Sequence, residues 1–98
     1  MNSSSKLQRL YQLLDDAEKL AKQFTGGYSD NFLSAEAFHT ALSDSIAKLK
    51  MGDNNQLDKL WLWFAPTYDW DDFIPQNGET LANEIFPLIS ELKKHNNA

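Results

Sequence analysis

Residues 69–72, Asp-Trp-Asp-Asp, are the densest set of chemically able groups in this 98-residue chain. Three carboxylates in four positions suit a hard cation, a glycosidic bond or the Lys and Arg of a protein partner. A calcium loop needs oxygen ligands at positions 1, 3 and 5, glycine at 6 and glutamate at 12. Counted from Asp69, positions 5, 6 and 12 are Phe73, Ile74 and Thr80, so the pattern fails after two ligands. Paired-carboxylate glycoside chemistry lacks any second feature. Covalent catalysis is no better supplied. There is no Cys, and no Ser sits in a glycine-framed elbow. His39 reads as a solvated residue on a polar helix flank, and His95 as part of a frayed tail. Gly26-Gly27 lacks the lysine and flanking strand of a phosphate cradle. The expectation is no enzyme, no metal and no cofactor.

Binding is the better-supplied reading. The stretch 61–75 holds all three Trp, two of the three Pro, two Phe and Tyr68 around those carboxylates. Trp and Tyr dominate interface energetics because they bury large area at small entropic cost and keep a polar handle. Trp63 lies off the expected core stripe of its helix. Trp70 divides evenly between plugging the end of a bundle and facing a partner. The carboxylates either cap local amides or reach a partner's cations. They cannot all be buried without partners.

Charge points the same way. Nine basic residues face fourteen acidic ones, net −5. Residues 1–50 are neutral, with six of each sign. Residues 51–98 carry three bases and eight acids. From Met51 to Phe86 the one base is Lys59, against seven acids. Such a face repels phosphates, and the bases are scattered, so nucleic acid is an unfavourable partner. It attracts a basic protein and speeds the encounter. Asp53, Asp58, Glu79 and Glu84 extend the candidate surface beyond the 69–72 cluster. Without Cys the chain suits a reducing compartment. No apolar run approaches 18 residues, which argues against a membrane span. The start, Met1-Asn-Ser-Ser-Ser-Lys, does not resemble a signal peptide. The cytoplasm is the default expectation.

The elements that must position these groups are helical throughout. One domain, 1–98, is expected, with 1–5 and 95–98 frayed. Leu7, Leu10, Leu14, Ala17, Ala21 and Phe24 mark a first helix over 7–24, opened by Ser3, Ser4 or Ser5 and stopped by Gly26-Gly27. Ser34 caps a second helix over 35–51, with Phe38, Ala41, Leu42, Ile46 and Leu49 inward and Ser45 breaking the stripe. Asp53 and Gln56 predict a capping box for a third helix over 54–64. Leu57, Leu60, Trp61 and Phe64 form its inward face. Residues 65–78 read as an irregular Pro- and Asp-rich loop, with room for one helical turn from Asp69 to Phe73. The last helix, 78–94, buries Leu81, Ile85, Leu88 and Leu92. Pro87 lies inside it and removes the amide that would bond Asn83, so a kink is expected. The predicted fold is all-α, a compact bundle of four main helices.

The stretch Leu60-Trp-Leu-Trp-Phe-Ala-Pro-Thr-Tyr-Asp-Trp-Asp-Asp-Phe, followed by Leu81-Ala-Asn-Glu-Ile-Phe, resembles a group of short bacterial proteins. They share a hydrophobic helix, then Phe-Ala-Pro-Thr, then Asp-Trp-Asp-Asp. Some are immunity proteins of contact-dependent growth inhibition systems, in one of which the toxin is a nuclease with a ribonuclease-A-like fold. The likeness covers residues 57–90; the first fifty match only in being helical. It implies a cytosolic inhibitor of one cognate toxin domain, with Tyr68, Asp69, Trp70, Asp71 and Asp72 as its contacts. If the motif is instead a structural loop, the interface lies elsewhere on the acidic half. A structural or regulatory interaction module, dimerising through its aromatic face, is the alternative reading.

Overall fold

Five helices form the regular structure of residues 2–27, 32–66, 68–74 and 78–96, the part of the chain described by the computed structural model. They are α1 (Asn2–Ala21), α2 (Ala35–Lys50), α3 (Gln56–Phe64), α4 (Asp69–Phe73) and α5 (Glu79–Asn96). No strand occurs among the described residues, so the architecture is all-α. The helices run from five residues in α4 to twenty in α1, and α4 takes up the single turn for which the Pro/Asp-rich loop had room. Thr67 and residues 75–77, part of that loop, lie outside the described residues, as do Met1, 97 and 98 of the expected frayed ends.

The helix ends follow local chemistry, with some displacement. α1 is already helical at Asn2, so Ser3–Ser5 lie within it rather than capping it. It stops at Ala21, three residues before the expected Phe24. The amides of Gln23 and Phe24 turn to the carbonyls of Leu20 and Ala21, three residues back, and this tightens the last turn. Ser34 caps α2 as expected: it is extended, and its Oγ accepts from the Ala37 amide at 3.1 Å. At the other end Gly52 takes φ 103°, its amide bonds Leu49, and the Asp53 amide reaches back to Lys48. That is a Schellman closure, which a left-handed glycine permits without steric cost.

The capping box expected of Asp53 and Gln56 does not form at α3. The helix starts at Gln56, not 54, and Asn55 at its cap makes no side-chain bond. Asp53 instead accepts from the Asn55 amide at 3.1 Å and from the Gln56 side chain at 2.9 Å. Gln56 Oε1 in turn accepts from the buried Ser45 hydroxyl at 2.7 Å. Ser45, which breaks the apolar stripe of α2, is therefore one end of a polar relay joining α2 to α3.

α1 packs on α2 and α5, and α3 packs on α2, α4 and α5. Leu10, Leu14, Phe38, Leu42, Leu57, Leu60, Phe64, Ile85 and Leu92 are buried as the periodicity predicts. Phe24, Trp61, Leu81 and Leu88 are half-buried at the margin of the core, not inside it. In α5 the inward set is Ala82, Ile85, Ile89 and Leu92. The helix must serve α1 and α3 together, and this turns the centre of its buried face by about 50° from the predicted stripe: Ile85 and Leu92 stay inside, while Ala82 and Ile89 replace Leu81 and Leu88. Pro87 lies within α5.

Phe38 is the hub of the aromatic core. Phe73 stacks on it at 5.4 Å, and Phe32, Trp63 and Trp70 meet it edge-on at 5.2, 6.0 and 6.3 Å. Trp70 also lies 4.8 Å from Phe64. α4 is thus fixed by its rings, although five residues alone form no stable helix.

Candidate partner-binding face

The aromatic–acidic segment divides between core and surface. Trp70 is fully buried, and its indole N–H donates to the Gly78 carbonyl at 3.0 Å. Asp69 is buried as well. Trp63 is only 9% exposed, because α3 is covered on its α2 side by Phe38 and Phe32. These three candidate contacts are structural residues in this fold. Trp61 and Trp63 exchange their expected places. Trp61 sits at the margin and donates to Ser90 Oγ at 2.9 Å. Tyr68, at 47% exposure, and Asp71 and Asp72 in the first turn of α4 do face outward.

The other candidate acids also separate. Asp53 is held in the Gln56–Ser45 relay, and the Gln56 side chain, with the Asn55 amide, lowers its carboxyl pKa. Lys48 and Lys59 act in the same direction. Asp58 pairs with Lys93 at 3.0 Å, and Glu84 with Arg9 at 3.6 Å. Bases of α1 and α5 thus answer part of the acidic half. Such exposed pairs are labile, so a partner's cation can compete for either carboxylate. Glu79 is exposed in the first turn of α5, where an acid complements the helix dipole.

A groove of about 400 Å³ runs between α4, the residues after α3 and the first half of α5. Phe64, Pro66, Ala82, Phe86 and Pro87 give it apolar walls. Asp71, Glu79 and Asn83 contribute polar groups. Two of the predicted contacts, eight residues apart on the consecutive helices α4 and α5, therefore lie beside one apolar surface. Asn83, Phe86, Pro87 and Pro66 were not among the predicted contacts. The signal was present: Glu79, Ala82, Asn83, Phe86 and Pro87 follow the spacing of one helical face. It was masked by the stronger Leu and Ile stripe beside it.

Beyond the groove, Trp61, Phe86 and Lys93 form a second cluster. The two rings are 5.2 Å apart, and Lys93 Nζ lies 4.5 Å from the Trp61 ring centroid. Ser90, which receives the Trp61 N–H, donates onward to the Phe86 carbonyl at 3.0 Å.

His39 is more engaged than a solvated residue: its Nε2 lies 2.9 Å from Glu18 Oε1, bridging α1 and α2. Among the described residues no three His, Cys, Asp or Glu gather as a metal site, and no helix is long and apolar enough to cross a membrane. The arrangement is equipped to recognise cations by charge and contact. Neither protein-family models, nor curated proteins, nor solved structures gave any match to this chain.

Proposed function

We propose that this chain is an immunity protein: it binds a basic nuclease toxin domain and neutralises it by covering the active site. The observation that carries the reading is the grouping of Asp71 and Glu79 around an apolar groove on the acidic half of the chain. Nuclease active sites are lined with cations that hold phosphate. Carboxylates on a rigid face can take the phosphate's place, and apolar walls exclude water around them. The family likeness of residues 57–90 supports the same conclusion. In this reading the protein acts in the cytoplasm, has no catalytic activity and needs no cofactor. The bend expected at Pro87 belongs to it too, as the feature that shapes the groove wall.

The experiment is genetic and direct. The neighbouring genes are searched for a large secreted toxin, and its C-terminal domain is expressed with and without this protein. Growth restored by co-expression, with salt-sensitive binding on the order of nanomolar, is the expected result. Growth arrest in the presence of abundant, folded protein overturns the proposal. The alternative, a homodimer formed through the aromatic face, loses support from the burial of Trp63 and Trp70. It predicts self-association insensitive to salt, which sedimentation at two ionic strengths separates from a monomer.

A further inference from the structure

Proline has no N–H, so Pro87 cannot donate to the carbonyl of Asn83, its helical partner four residues back. Asn83 and Pro87 both line the groove, with the carboxylates of Asp71 and Glu79 and the ring of Phe86. The lining residues therefore supply two negative charges and an aromatic wall, beside a main-chain acceptor that lacks its helical donor. Its volume, about 400 Å³, falls in the range of roughly 300–1,000 Å³ typical of sites for compact ligands.

The side chain that answers this combination is arginine. Its guanidinium is planar, always charged, and carries five N–H donors in a rigid fork. It stacks on an aromatic face while its edge bonds carboxylates. A lysine ammonium is a compact, more strongly hydrated charge and cannot do both as well. The protein already holds one of its own cations by the paired use of ring and carboxylate: Lys93 Nζ lies over Trp61 and 3.0 Å from Asp58. Trp61 packs on Phe86, so the groove adjoins that arrangement through a shared aromatic wall.

We infer that the groove is the receptor for an arginine side chain of the protein partner. The inference rests on the basic-partner reading above and makes it specific: one guanidinium enters between α4 and α5, with Asp71, Glu79 and the Asn83 carbonyl as its acceptors. Pro87 then has a binding role, keeping that carbonyl out of the helical ladder.

The probe is the peptide acetyl-Ala-Arg-Ala-amide, titrated into the labelled protein at low salt and followed by amide chemical shifts. Its citrulline and lysine counterparts serve as controls. The arginine peptide is expected to shift the amides of Asp71, Glu79, Asn83 and Phe86 and to bind more tightly than either control. Asp71→Asn with Glu79→Gln should weaken it by at least about fivefold, the scale of a lost charge-assisted bond. Pro87→Ala supplies an N–H to the Asn83 carbonyl, so it should weaken binding while raising thermal stability, an outcome that general damage cannot mimic. Equal binding of the citrulline peptide, or shifts confined to another face, overturns the inference. So does an unchanged affinity of the Pro87→Ala protein. Toxin rescue is scored in parallel. Rescue by wild type, undiminished in the Asp71/Glu79 variant, removes the groove but keeps the immunity function. Failure of wild type to rescue, with arginine still bound in the groove, removes the function but keeps the receptor.

Discussion

The indole N–H of Trp70 donates to the Gly78 carbonyl at 3.0 Å, within the buried core. This bond ties α4 to the start of α5 and so fixes the two sides of the groove. Gly78 is required there by close approach rather than by an unusual φ. A Cβ at this position would collide with Ile74 Cγ2 and lie 3.0 Å from Trp70 Cζ2. Gly78→Ala is therefore expected to cost about 1–3 kcal/mol, the usual range for overpacking a filled site. Trp70→Phe leaves the carbonyl without its donor and opens a cavity, at a cost of about 2–4 kcal/mol. Urea unfolding measures both. A neutral Gly78→Ala would mean that α5 begins differently from the geometry described.

The Ser45–Gln56 bond is buried at 2.7 Å, and Gln56 also donates to Asp53. Ser45→Ala deprives the Gln56 carbonyl oxygen of its donor and should cost about 1–3 kcal/mol. Replacing both ends, Ser45→Ala with Gln56→Leu, should cost less than the sum of the single changes, since no unsatisfied acceptor is left in the core. A double-mutant cycle by chemical denaturation reads the difference. Strict additivity would show that the pair is not coupled.

The contrast between core and margin shows what sequence alone conveys. Leu10, Leu14, Phe38, Leu42, Leu57 and Leu60 are recognisable because periodicity reports a buried face directly, and Ser34 and Gly52 because caps act locally. Trp61 and Trp63 are not separable this way. Both lie on a helix covered from two sides, and what distinguishes them is Ser90, 29 residues from Trp61. Trp70 likewise depends on the Gly78 carbonyl and on Phe38. The 69–72 carboxylates are conspicuous as a cluster, but which of them is buried depends on how α4 docks. The groove was least visible, since it joins Asp71 to a polar face of α5 that composition does not single out.

Acid should weaken the fold through two identified groups. Glu36 accepts from the Gly26 amide at 2.8 Å, a bond that joins the segment after α1 to the start of α2 and lowers its carboxyl pKa, helped by its own amide and the Ser34 hydroxyl. The Gln56 side chain, with the Asn55 amide, lowers that of Asp53. A carboxyl with a depressed folded-state pKa binds its proton more readily when unfolded. Its stabilising effect is full above the unfolded-state value and is lost as pH falls through the folded-state value. The affected window lies below the ordinary carboxylate range, roughly pH 4 and lower. Carboxyl-carbon titration by NMR should find Glu36 and Asp53 protonating later than typical carboxylates on acidification. Glu36→Gln and Asp53→Asn should each flatten the acid limb of stability against pH.

Pro87 lies in the interior of α5, where it supplies no donor to Asn83. Its ring is exposed, so replacing it opens no core cavity. Pro87→Ala should stabilise the isolated protein by up to about 3 kcal/mol, the difference between the two residues inside a helix. The gain will be smaller where neighbouring packing already accommodates the ring. Calorimetry of the variant against wild type checks the direction. A loss of stability would show that the packing of α5 on α1 and α3 depends on the proline geometry.

Asp69 and Asp72 stand three residues apart in one short helix and should answer charge reversal in opposite ways. Asp69 is buried, and no buried side-chain oxygen or nitrogen among the described residues is left without a partner. Asp69→Lys forces an ammonium into that space and should cost at least about 3 kcal/mol, enough to unfold a marginal domain. Asp72 is exposed. Asp72→Lys should leave stability within about 1 kcal/mol, allowing for the lost favourable charge at the start of α4. Its effect should appear in the association rate with a basic partner and in the salt dependence of that rate. Thermal melts of both variants, followed by stopped-flow association for Asp72→Lys, separate structural carboxylate from surface charge. If Asp72→Lys melts as low as Asp69→Lys, Asp72 serves the fold as Asp69 does, and partner recognition in the cluster is left to Asp71.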